Sequence, residues 1–101
     1  MNGSRIDFDS LGWERAAEGL RCKSFERGGR RVRLLEFAPG YAEAEPCAKS
    51  HAGYVVAGEL VLEFVGRAER LAAGDALVIE GEPHRVKAGA AGALVFLVED
   101  A

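Results

Sequence analysis

The chain has 101 residues, 49% of them hydrophobic, with Lys+Arg 13 against Asp+Glu 16 and a formal net charge of -3. A chain of this length makes one domain that buries roughly two-thirds of the surface it exposes when unfolded, and its interspersed charges leave no basic stripe to follow a phosphate backbone, which argues against a nucleic-acid partner. The opening "MNGSRIDFDS" has no apolar core of a signal peptide, and no segment is apolar enough for a membrane span, so the sequence predicts a soluble cytoplasmic protein without a membrane partner.

In chain order, residues 1–19 read as an N-terminal arm and residues 20–101 as a single β domain. Within the arm, "DSLGWERAAEG" at 9–19 is the one stretch suited to a short helix, capped by Asp9 or Ser10, with Trp13 anchoring it. Beyond it, glycine and proline recur at short intervals: Gly28-Gly29, Pro39-Gly40, Gly58, Gly66, Gly74, Gly81 and 89–92. Runs of β-branched and large apolar residues lie near them, predicting strands near 20–26, 31–37, 52–57, 59–65, 67–72, 75–80, 84–88 and 93–99. Between Gly58 and Glu99 no uninterrupted segment can hold a crossover helix, so the sheet is predicted to be mostly antiparallel. Alternation in "RVRL" and "ELVLEF" marks strands with one wet face, and the continuous "YVVA" and "ALVFLV" mark strands covered on both. A closed or double-sheet barrel supplies both environments.

Two cysteines are too few for a disulfide framework, and a reducing compartment keeps both as thiols. Cys22, in "LRCKSFE", reads as a small packing residue. Cys47 differs, because "EPCAKSH" at 45–51 places a carboxylate, a thiol and an imidazole within seven positions.

From Pro39 to Val86 the chain resembles a small single-domain cupin of the type-2 conserved-barrel kind. The stretch "GYVVAGEL" at 53–60 matches the end of that family's first motif, with Gly58 as its glycine, and "GDALVIEGEPHRV" at 74–86 matches the second, with His84 as its histidine. The resemblance implies an all-β fold, a mostly antiparallel double-stranded β-helix or jelly-roll barrel. It also implies a metal site, with departures. Counting back from Gly58, His51 stands where the family has Glu or Gln, and Cys47 and Glu45 stand where it has histidines. The family's longer spacing would instead select Pro46 and Ala44, which bind no metal. In the second motif Glu80 replaces a common proline, and the turn to His84 is one residue shorter. A Cys-x-x-x-His element of this kind is similar to that of a subgroup of small cupins, and this likeness transfers no particular activity. Small barrels of that family commonly pair as homodimers, which is the expected assembly here.

The residues themselves are compatible with such a site. Positions 45 and 47 leave an extended chain on one face, a turn through 48–50 brings His51 back, and Pro83 fixes the backbone before His84. The candidate metal ligands are therefore Cys47, His51, His84 and Glu45. One thiolate with two imidazoles selects Zn²⁺ first, with Fe²⁺, Ni²⁺ or copper behind it, over Mg²⁺ and Ca²⁺. Glu45 as a fourth ligand closes the site; Glu45 in solvent leaves a position for water or substrate. Each of the four also has a purely structural role available, as a loop or surface residue or a packed thiol.

Val55 and Val86 are expected to face inward, giving an aliphatic wall suited to a small organic ligand. Tyr54 is expected on the face opposite His51, packed, and "RGGRRVR" at 27–33 as a solvated turn or subunit contact. Glu80, Glu82, Glu99 and Asp100 read as surface carboxylates. Three functions stay open: a metalloenzyme acting on a small organic molecule, a barrel that binds or senses a small ligand without turnover and without a metal, and a structural, dimerising barrel.

Overall fold

A computed structural model of the chain describes residues 3–101. Among these residues there are seven strands: β1 (Glu14–Ala17), β2 (Leu20–Arg27), β3 (Arg30–Phe37), β4 (His51–Phe64), β5 (Arg67–Ala72), β6 (Ala76–Ile79) and β7 (Arg85–Asp100). All pairings are antiparallel, in the order β1-β2-β3-β7-β4-β5, with β6 against β4. No helix among the described residues is long and apolar enough to cross a membrane.

Two long strands organise the barrel. The register of β4 against β7 shifts between Val55 and Ala57 and again between Gly58 and Leu60. Each shift bends the strand, so that β4 and β7 serve both layers. The first half of β4 pairs with β6 and with the second half of β7, which also pairs with β3; the second half of β4 pairs with β5 and with the first half of β7. The expected pairs of strands at 52–57 and 59–65, and at 84–88 and 93–99, are thus single strands broken only by bulges. Glycine caused the difference, since Gly58 and Gly92 punctuate the sequence without ending the ladder.

The expected helix at 9–19 is absent. A 3₁₀ turn at Phe8–Ser10, capped by the Asp7 carboxylate accepting from the Asp9 N–H (3.1 Å), leads to β1, which hairpins onto β2. Gly12 and Gly19 flank too few helix-forming residues to offset the nucleation cost, and the open edge of β2 offers hydrogen bonds instead. Trp13 still anchors this segment: the Arg21 guanidinium lies 4.4 Å and the Lys23 ammonium 5.0 Å from its ring centroid. Lys23, itself buried, donates to the Phe8 carbonyl (2.7 Å), which fastens the segment to the outer face of β2.

The core lies between the layers, formed by Cys22, Leu35, Phe37, Val55, Leu60, Ala93, Val95 and Leu97. Cys22 is a packing residue there, and Val55 is fully enclosed. Tyr54 does turn away from His51, but it is 47% exposed rather than packed: of its cross-strand neighbours on that face, Ala76 is small and exposed, and Phe96 packs edge-on against the Phe8 ring.

Candidate metal centre

The loop between β3 and β4 crosses the open end of the barrel and is held there by backbone pairing. Cys47 and His84 exchange both hydrogen bonds of an antiparallel bridge, Cys47 N–H to His84 O at 2.8 Å and His84 N–H to Cys47 O at 2.9 Å. Residues so paired carry their side chains on one face. His51 begins β4 opposite Ile79 of β6. Its Nε2 lies 3.7 Å from Cys47 Sγ, and one ligand atom from each of Cys47, His51 and His84 lies within 4.8 Å of the others. A sulfur at about 2.3 Å and a nitrogen at about 2.0 Å on one tetrahedral ion stand about 3.5 Å apart, close to the 3.7 Å from Sγ to Nε2, so the distance fits a shared ion.

Both imidazoles are aimed by their other nitrogen. His84 Nδ1 is 2.8 Å from the Glu82 carbonyl, which can only accept, so the proton sits on Nδ1 and the Nε2 lone pair is free for the centre. The turn that carries this carbonyl is braced from outside, where Arg67 makes a two-pronged pair with Glu82 (2.7 and 2.7 Å) and covers the Phe64 ring. His51 Nδ1 faces Glu99 Oε2 at 2.9 Å, and Glu99 Oε1 is 2.6 Å from Arg33 Nε and 3.8 Å from Arg31. Glu99 forms an ion pair with Arg33 and a charge-dipole contact with the His51 ring, and the angles of both fall short of hydrogen bonds, since Arg33 Nε, His51 Nδ1 and both Glu99 oxygens are buried and make none. Burial lowers the His51 pKa, helped by His84 and Arg33 and opposed by Glu99, which keeps the ring neutral as a ligand must be.

That direction sets a pH dependence for the metal-free protein. The folded His51 holds its proton less tightly than the unfolded one, whose pKa is about 6.5, so its contribution to stability is complete above about pH 6.5 and declines as pH falls toward the folded value. Denaturant titrations are expected to give lower stability at about pH 5 than at about pH 7.5, with His51→Gln removing part of that slope. Glu36 and Glu82, both lowered by their arginine partners, begin to lose their contribution only in the acid range of carboxylates.

Glu45, expected near the ligands, is exposed and outside the group. The chain bends at residues 44 and 45, so the two-residue spacing to Cys47 no longer places both side chains on one face. Glu43 is the acidic residue that reaches the cavity, with its Oε1 accepting from the Val86 N–H at 3.1 Å. Glu99 also departs from expectation, being 5% exposed and at the heart of the site rather than on the surface.

Beneath the three candidate ligands lies a cavity of about 180 Å³, walled by Leu35, Leu60, Leu62, Leu77, Val86 and Leu97. Its polar groups besides those three are Arg33, Tyr41, Glu43 and Lys49. The donor set fits a borderline divalent ion: one soft sulfur, two imidazole nitrogens with their lone pairs inward, and no carboxylate from Glu45.

No family model matches the chain, and no curated protein matches it. Solved structures do. A structural-genomics protein of Rhizobium leguminosarum superposes with a TM-score of 0.82 at 20% identity, covering 99% of this chain and 98% of the other. An RmlC-like cupin from Shewanella frigidimarina gives 0.76 at 18% identity over 98% and 91%. A sugar phosphate isomerase from a cupin superfamily, of Silicibacter pomeroyi, gives 0.77 at 17% identity over 97% and 76%. The chain therefore has the fold of a small cupin domain, an all-β, mostly antiparallel jelly-roll barrel.

Proposed function

We propose that Cys47, His51 and His84 hold one divalent metal ion at the mouth of the barrel, zinc before iron or nickel, and that the protein acts there on a small organic molecule. The observation that supports this most is the convergence of three ligand atoms within 4.8 Å, with the second nitrogen of each imidazole turned to an acceptor. With Glu45 in solvent, three protein ligands leave one coordination position, the pattern of catalytic rather than structural zinc. An ion bound there supplies a Lewis acid beside an apolar cavity. The chain's own part is to exclude water with the leucine wall, to keep the His51 imidazole neutral by burial, and to turn each Nδ1 to an oxygen acceptor so that each Nε2 faces the ion. A thiolate ligand suits a reducing cytoplasm. Exposed Tyr54, Val56 and Val78 on β4 and β6 offer an apolar surface for a homodimer.

Elemental analysis of untagged protein is expected to give about one metal ion per chain, lost in Cys47→Ser and in His84→Ala while both variants stay folded. A wild type that takes up no zinc, iron or nickel under reducing conditions overturns the reading. A second reading then takes its place, carried by the 3.7 Å from Cys47 Sγ to His51 Nε2 and the 2.9 Å from His51 Nδ1 to Glu99: a thiol, a base and an orienting carboxylate in the order used by cysteine nucleophiles. Rapid alkylation of Cys47 in the wild type, slowed in His51→Gln, would identify it.

A further inference from the structure

We propose that the cavity takes a small monocarboxylate, its anionic end on Arg33 and Lys49 and its aliphatic stem against the leucine wall beneath Cys47, His51 and His84. The carboxylate contacts do not depend on the metal reading.

Arg33 comes from the inward face of β3, two residues before the core residue Leu35. Its Nε is spent on Glu99, which holds the guanidinium at the cavity wall; its two Nη groups make no hydrogen bond among the described residues. Lys49 lines the same cavity from the loop between β3 and β4 and makes no ion pair among the described residues. Among the described residues, one unpaired cation, Lys49, and the free Nη groups of Arg33, whose charge Glu99 partly offsets, thus stand at one cavity. The acidic groups nearby are committed elsewhere: Glu99 lies between Arg33 and His51, and Glu43 accepts from the Val86 N–H. Tyr41, whose pKa is raised by burial and by Glu43, keeps its proton and adds a neutral hydroxyl to the lining.

Size and wall then choose among anions. A cavity of about 180 Å³ is smaller than sites for drug-sized ligands, and its wall is mostly leucine and valine. A planar carboxylate on a short aliphatic stem matches both the fork of a guanidinium and that wall. A fully solvated phosphate matches neither the apolar wall nor a guanidinium already half neutralised by Glu99.

The test uses butyrate, butyramide of the same shape, and inorganic phosphate, titrated calorimetrically into zinc-loaded and into metal-free protein. Butyrate is expected to bind, butyramide and phosphate at least about tenfold more weakly, because the amide forfeits a charge-assisted hydrogen bond. Lys49→Met, at an exposed position, and Arg33→Lys, which keeps the charge beside Glu99 and removes the fork, are each expected to weaken butyrate about tenfold with metal content unchanged. Butyramide or phosphate binding as tightly as butyrate, or butyrate binding unaltered in both variants, overturns the proposal. Failure of the metal reading is visible separately. A protein that takes up no zinc but still binds butyrate through Arg33 and Lys49 sustains the carboxylate site, and one that takes up zinc and ignores butyrate refutes it.

Discussion

Glu99→Ala is expected to lower stability by about 3 kcal/mol and the melting temperature by on the order of 10–20 °C. The carboxylate is the shared partner of His51 Nδ1 and Arg33 Nε, and its side chain is 2% exposed. Its removal strands a buried guanidinium nitrogen and an imidazole N–H together, and neither can reach water without breaking the packing of β3 on β7. Arg33 keeps some solvent contact, which holds the cost near the lower end for a broken buried pair. Glu99→Gln separates shape from charge. It preserves the volume and is expected to cost less stability, yet to weaken zinc binding about 10- to 100-fold, measured by competition with a chromophoric chelator. If Glu99→Ala unfolds at the same denaturant concentration as the wild type, the carboxylate does not hold these two groups in solution.

Gly58→Ala has an expected effect of similar size from a different cause. Gly58 lies between the two register shifts of β4 at φ +77°, and a Cβ built there would stand 2.1 Å from the Gly92 carbonyl oxygen and 2.9 Å from the Ala93 Cα. The left-handed backbone costs an alanine about 1–2 kcal/mol, and the collision with backbone that cannot rotate away adds about 1–3 kcal/mol. Against the roughly 5–15 kcal/mol that hold a small domain together, this is enough to leave the variant poorly folded at growth temperature. Equilibrium denaturation of Gly58→Ala beside Gly66→Ala makes the comparison internal. Gly66 has a similar φ of +81° with nothing within 4 Å of its Cβ, so it carries the conformational cost alone. Equal losses in the two variants would mean that the crossing of β4 and β7 relaxes to admit a methyl group.

Much of this was legible in the sequence. Glycine punctuation with no room for a crossover helix gave the antiparallel barrel, and the spacing from Gly58 to His51 and Cys47 singled out three residues that the fold brings together. What escaped has identifiable reasons. Glu45 was judged by strand parity across a stretch that bends. Glu99 was judged by its charge, although parity along β7 runs Ala93, Val95, Leu97, Glu99, every one of them buried. The same parity along β3 puts Arg31 and Arg33 on the face of Leu35 and Phe37. An inward-facing carboxylate and two inward-facing arginines, on strands that pair Arg31 with Glu99, form a signal that alternation alone contains. The β1 hairpin was less accessible, because its residues are exposed throughout and carry no apolar alternation.

The place of β7 in the barrel bears on how the protein is made. It follows every other strand along the chain, yet it lies between β3 and β4, which do not pair with each other. During vectorial synthesis the hairpin of β2 and β3 and the hairpin of β4 and β5 therefore emerge as separate pieces with apolar faces uncovered, and neither has its neighbour until β7 leaves the ribosome. His84 emerges just before β7 and Glu99 near its end, so Cys47 and His51 wait for both while the nascent chain is still open. An ion captured early would meet a thiol and one unsupported imidazole. Ribosome-bound chains stopped before residue 85 are the species that a chaperone would shield, and the three candidate ligands meet only in the finished barrel.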